Sequence, residues 1–225
     1  MAAETPSRPA GPLTFLGPLR DRPVQRLVLL FAGLVAFGVS NAMLLLAELG
    51  VGPWDVLHQG LSRTFGLGVG TWAILISFVL LVLWVPLRQR PGLGTLANAV
   101  VVGLVIDGVL AVADPPTGWP VRITLLVGGV LLNAVATGAY IGAGLGPGPR
   151  DGLTTGLAAR GHSIRVVRTS IEVAVLALGW LLGGTVGLGT VLYAGAIGPL
   201  THLTIPRLRL RDRAVRGAAS APRRA

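Results

Sequence analysis

The residues in this chain that could do chemistry are few, and they gather in two matching corners. One reads Pro53-Trp54-Asp55 with His58 a turn later; the other reads Pro149-Arg150-Asp151 with Thr154 a turn later. Proline suits the first helical position because its missing N–H would have no partner there. An acid two residues on sits in the first turn, near the positive end of the helix dipole. Each corner therefore predicts a short helix, over about 53–63 and about 149–160, too short to cross a bilayer alone. Such segments lie at the interface, or re-enter where protein covers their backbone. Asp55 and Asp151 are accounted for as helix-capping acids, or as a pair facing a solute or ion path.

A second group follows the second corner. Arg165, Arg168 and Glu172 form an i, i+3, i+7 stripe on one predicted helix. Ionisable groups inside a span are costly, about 2.5–3.5 kcal/mol each at its centre, and usually face the bundle interior. The stripe reads either as an ion pair that fixes packing or as an anion-coordinating gate. The candidate binding set is thus Asp55, Asp151, Arg165, Arg168, Glu172, Trp54 and His58. Asp107 and His202 are further ionisable groups inside apolar stretches. Asn41, Asn98 and Asn133 are expected to bond across helices.

Other chemistries find no support. Asp55 and His58 could share a metal in principle, but no further ligands repeat their spacing, and the chain has no Cys for thiolate sites or disulfides. No metal or cofactor is expected. There is no Lys to complete a phosphate-binding loop, and no Ser/His/Asp ordering stands out, so no catalytic residues and no enzyme are expected.

The elements that must position these residues belong to a membrane protein. The chain is 52% hydrophobic and only 12% charged, with a mean hydropathy of +0.72; soluble domains carry about 25% charged residues. Its net charge of +10 comes with no aromatic interleaving or recognition motif, so nucleic acid is not the expected partner; the lipid bilayer is. A helix needs about 20 apolar residues to cross a bilayer. Six stretches meet or approach this, at about 27–48, 66–87, 94–113, 121–143, 164–182 and 189–205. The first is a retained span, since a signal peptide has an apolar core of only about 7–15 residues.

Arginine placement orients them. With the N-terminus inside, seventeen Arg fall on the cytoplasmic side and two, Arg63 and Arg122, fall outside. An even number of spans keeps the Arg-rich leader and tail on one side, so six is the expected number, with both ends cytoplasmic. The leader (1–23) and the tail (207–225) are too poor in apolar residues to pack and are expected to be disordered. The tail is also placed to touch anionic headgroups.

Self-comparison divides the membrane part into two repeats, 24–115 and 116–206. Gly52-Pro53-Trp54-Asp55-Val56-Leu57-His58-Gln59-Gly60-Leu61 aligns with Gly148-Pro149-Arg150-Asp151-Gly152-Leu153-Thr154-Thr155-Gly156-Leu157 at an offset of 96. Gly92-Leu93-Gly94-Thr95 matches Gly187-Leu188-Gly189-Thr190 at an offset of 95. Each half holds three predicted spans, and an odd number makes the second enter the membrane upside down. The Trp54-Asp55 corner then falls in an outer loop and the Arg150-Asp151 corner in an inner one. Inverted repeats are typical of secondary transporters, with sites at the repeat interface near the midplane.

These blocks, with Pro86-Leu87-Arg88-Gln89-Arg90-Pro91, Ile164-Arg165-Val166-Val167-Arg168-Thr169-Ser170-Ile171-Glu172 and Gly179-Trp180-Leu181-Leu182-Gly183-Gly184-Thr185, resemble the YczE branch of the YczE/YitT group of bacterial multi-pass membrane proteins. The likeness covers about 27–205. It implies the plasma membrane of a bacterium and no particular substrate. The expected fold is all-α, six transmembrane helices in two inverted three-helix repeats, each with a short interfacial or re-entrant helix. The expected function is binding or moving an unidentified small solute; the alternative is a non-transporting membrane protein that supports or regulates a partner. Oligomeric state is not legible.

Overall fold

The computed structural model describes residues 21–210, and within them the chain is all helix. The elements are α1 (Pro23–Ala47), α2 (Pro53–Phe65), α3 (Val69–Trp84), α4 (Leu93–Leu110), α5 (Trp119–Gly142), α6 (Pro149–Ala158), α7 (Ile164–Leu181) and α8 (Leu188–Leu208). The order long, short, medium, long thus occurs twice. The short helices predicted at the two corners are α2 and α6, each begun by its proline behind an extended glycine, Gly52 or Gly148. The expected disorder of the leader and tail falls almost wholly outside the described residues. At the tail's near edge α8 runs on to Leu208.

Four helices, α1, α4, α5 and α8, are long and apolar enough to cross a bilayer, and the α2–α3 pair, bent by 112°, gives a fifth if counted as one crossing. That is fewer than the six that hydropathy predicts, for a local reason. Helix α3 has only 16 residues, and α7 carries Arg165, Arg168 and Glu172 in its first half. The outward faces are nonetheless apolar: Val79 and Val82 of α3, Val173 and Leu181 of α7 and Val191 of α8 are exposed. So broad an apolar exterior suits lipid rather than water.

The centre is the α1–α5 pair. Leu30, Leu34, Leu44, Leu126 and Val130 are buried there, and Phe37 meets Tyr140 edge-on at 5.7 Å. The expected interhelical asparagine contact is present: Asn133 Nδ2 donates to Asn41 Oδ1 at 2.8 Å and to Ser40 Oγ at 2.9 Å. Arginines tie both ends. Arg26, buried near the start of α1, donates to the Ala143 carbonyl at the end of α5 at 2.7 Å. Arg122, near the start of α5, pairs with Glu48 at the end of α1. The two helices therefore run antiparallel. Arg26 and Arg122 are 96 residues apart, the same offset that relates the two corners.

The turns are tied just as reciprocally. The Gly94 N–H donates to Leu145 O at 2.8 Å, and the Gly189 N–H donates to Leu49 O at 2.7 Å. The glycine-rich turn after each long helix thus accepts from the helix start that closes the other half. Gly50 and Gly146 hold these turns in left-handed conformations, at φ +100° and +121°. A Cβ at either would press on the Thr190 or Thr95 hydroxyl, so glycine is required twice over. Those hydroxyls accept from the Gly187 and Gly92 N–H groups.

Helix pairing follows the same exchange. Helix α1 packs on α4 as α5 packs on α8, and α2 packs on α7 as α6 packs on α3. The volume in the last two contacts is traded. Val56 and Leu57 of α2 fit against Gly179 of α7, while Trp84 of α3 fits over Gly152 of α6; a Cβ on either glycine would collide with that partner. Trp84 also donates its indole N–H to Pro149 O at 3.0 Å. Asp107, an ionisable group inside an apolar stretch, caps α3: its carboxylate accepts the Gly70 and Thr71 N–H groups at 2.7 and 2.8 Å and the Thr71 hydroxyl at 2.7 Å.

The α3–α4 pairing is not repeated. Helices α3 and α4 interlock at Gly70 and Gly103, where a Cβ on either would strike the other's carbonyl, whereas Gly195 and Gly198 of α8 face open space and α7 hardly touches α8.

The traded volume is testable. Gly152→Val should lower stability by about 1–3 kcal/mol through overpacking, and Trp84→Gly by about 3–5 kcal/mol through the cavity it leaves. The double substitution, which copies the small–large order of the other contact, should cost less than the two summed, read as thermal unfolding in detergent.

Candidate functional site

Because α7 stands away from α8, the two Pro-x-Asp corners face a cavity of about 670 Å³, within the range of small-molecule sites. Residues 50–53 are all buried, so α2 starts inside the protein. The sequence puts the corners in loops on opposite sides. The sequence also allows both short helices to re-enter, and here the extended glycine-rich approaches carry both tips inward until they meet. Arg150 lies over the Trp54 ring at 5.4 Å, a cation–π contact between equivalent positions of the two repeats, worth about 0.5–2 kcal/mol depending on hydration.

Of the seven predicted residues, six line this one space: Trp54, Asp55, Asp151, Arg165, Arg168 and Glu172. His58 does not. It is buried beside Asp55, with its Nδ1 3.5 Å from Asp55 Oδ1, because three residues along a helix bring it onto the same face one turn further along α2. Asp107 is spent on its cap, while His202, its counterpart in the second repeat, lines the cavity.

The two aspartates are equivalent in sequence and different in surroundings. Asp151 Oδ2 accepts from the Tyr140 hydroxyl at 3.4 Å. Asp55 is only 2% exposed, and neither its Oδ1 nor His58 Nδ1 has a hydrogen-bond partner. The Arg168 Nε donates to Glu172 Oε1 at 2.9 Å across one helical turn. Both members are well exposed, so this pair adds little stability. Among the described residues the wall carries three guanidinium groups, Arg150, Arg165 and Arg168, against three carboxylates. Such a wall can hold polar and charged groups of either sign, and a bilayer around it strengthens each contact.

Sequence reasoning missed Arg150, Tyr140, Tyr193, Asn98 and Thr137 on this wall. Arg150 was recoverable, since it aligns with Trp54. Tyr193 aligns with Asn98 at the 95-residue offset, a second signal. Tyr140 has no such mark. Tyr193 donates to Asn133 Oδ1 at 3.3 Å, linking the wall to the α1–α5 asparagine contact.

The chain matches the family of unknown function DUF6198 over residues 24–206. It belongs to this family. It is 44% identical to an uncharacterized protein of Haemophilus influenzae, covering 78% of this chain and 80% of that one. It is 36% identical to the uncharacterized membrane protein YczE of Bacillus subtilis, covering 84% and 89%. The resemblance read from the sequence therefore holds, and the chain is a membrane protein with several apolar helices. YyaS of Bacillus subtilis is 31% identical over 77% of this chain. No solved structure matches.

The meeting of the corners can be checked directly because the chain has no Cys. In the Trp54→Cys, Arg150→Cys double variant, a short bis-maleimide should bridge the two thiols within one chain, seen as a single added linker in the intact mass. Two separate adducts would show that the tips stand apart.

Proposed function

We propose that this protein binds a small polar solute in the cavity between α2, α6, α7 and α8 and moves it across a bacterial plasma membrane. In this reading the chain crosses six times, as inverted halves 24–115 and 116–206, with α2 and α6 re-entrant and both ends cytoplasmic. The observation that carries it is the convergence of Asp55, Asp151 and the Arg165/Arg168/Glu172 stripe on one space of about 670 Å³. Residues scattered over separate surfaces would give no reason for paired acids.

Two further observations support it. Each reciprocal tie joins residues that Arg counting assigns to one face: Arg26 with Ala143 and Gly94 with Leu145 inside, Arg122 with Glu48 and Gly189 with Leu49 outside. The open α7–α8 gap opposite the closed α3–α4 contact is the asymmetry that two inverted halves show when only one has its path open.

Thr137→Cys puts one thiol on the cavity wall. With a membrane-impermeant maleimide it should react in both right-side-out and inverted membrane vesicles, and Asp151→Asn should change the ratio of the two rates. Reaction from one side in every condition would overturn transport and favour a role in supporting a partner protein.

A further inference from the structure

The interior of the first corner holds a feature that binding a solute leaves unexplained. Asp55 Oδ1 and His58 Nδ1 face each other at 3.5 Å, with side chains only 3% and 2% exposed. Neither atom has a hydrogen-bond partner. A buried polar atom without a partner costs about 1–3 kcal/mol, and here two such atoms are paired face to face. A hydrogen on Nδ1 satisfies both, and when Nε2 is protonated as well the contact becomes a charge-assisted hydrogen bond.

From this geometry we propose that Asp55 and His58 form a proton-binding site, one per chain, whose occupancy sets how the cavity is exposed. The inference deepens the transport reading and rests on it for the site's role, naming the proton as the coupled ion. Asp55 stands between the cavity and His58, so a proton from cavity water reaches the imidazole past the carboxylate. The proton adds to His58 Nδ1 and no other bond changes; release returns it by the same route. The charged and titratable groups around the pair include Arg150 of α6 and Tyr193 of α8, with Arg168 and Glu172 of α7 on the same wall as Asp55, while α7 presents Gly179 to Val56 and Leu57 of α2. Arg150 couples the site to the cavity. It repels an imidazolium and lies on the wall, so a ligand that draws the guanidinium away favours protonation. The second corner has no such site: Thr154, equivalent to His58, donates to the Arg150 carbonyl, and Asp151 takes the Tyr140 hydroxyl.

The chain has three histidines. In full-length protein carrying His162→Gln and His202→Gln, ¹⁵N-histidine NMR reports His58 alone; in the unsubstituted protein its signal is assigned by loss in His58→Gln. The expected result is one titration of His58, with its midpoint moved down in Asp55→Asn as the carboxylate's support is lost. The maleimide rate at Thr137→Cys, divided by the same rate in Thr137→Cys with His58→Gln, should change with pH at the same midpoint. A His58 that stays neutral throughout, one that titrates identically without Asp55, or a flat rate ratio overturns the proposal. The NMR titration does not depend on two-sided labelling, so this site and the transport reading fail separately.

Discussion

A polypeptide in hydrocarbon has no water to satisfy its backbone, so every N–H and C=O outside a helix needs a partner within the protein. Here the eight helices of the described residues are joined partly by turns that sit against other helices, and those turns are where the demand is greatest. The solution is mutual. Leu145 O takes the Gly94 N–H, Leu49 O takes the Gly189 N–H, and the start of α3 is satisfied by Asp107. Neither half can complete its own turns, which is why the long antiparallel α1–α5 pair has to be flanked by helices that each reach across to the other side of the repeat.

That mutual closure leaves the corners free to point inward. An extended glycine before a proline gives a helix start without a side chain in the way, and two such starts meet in the middle at Trp54 and Arg150. The charged wall then follows from the absence of an α7–α8 contact rather than from any dedicated pocket-forming loop. Where α3 and α4 lock through small residues, the corresponding helices of the second half carry Arg165, Arg168 and Glu172 on one side and Tyr193 and Thr201 on the other. Guanidinium groups and carboxylates in those positions keep the helices apart, because each needs polar surroundings that a closed helix contact would not supply.

Much of this was legible beforehand. The proline-acid corners predicted α2 and α6, and the apolar runs located all six longer helices to within a few residues, because both signals are local. The 96-residue offset marks Asp55 and Asp151 as a pair, and it also relates Arg26 to Arg122, whose ties to Ala143 and Glu48 repeat it. What the sequence could not carry is depth. Hydropathy sees Pro53-Trp54-Asp55 as a loop between spans, and only the left-handed glycine at position 50 and the buried run through residue 53 show the chain turning inward. The capping role of Asp107 is hidden for a similar reason: its partners are mostly backbone groups of another helix, which leave no trace in residue type.

The arginine ties have a consequence for biogenesis. Arg26 is made with α1, but the carbonyl it donates to, at Ala143, is more than a hundred residues downstream. At about 5–20 residues per second, a ribosome takes on the order of 6–24 seconds to make that stretch. Over that interval the nascent first half holds a charged side chain and unfilled turn groups, and it depends on the insertion machinery or on the interface for shelter. The second half faces no such delay, since Glu48 and Leu49 are already in place when Arg122 and Gly189 emerge. The chain is thus vulnerable early in synthesis and locks as α8 arrives.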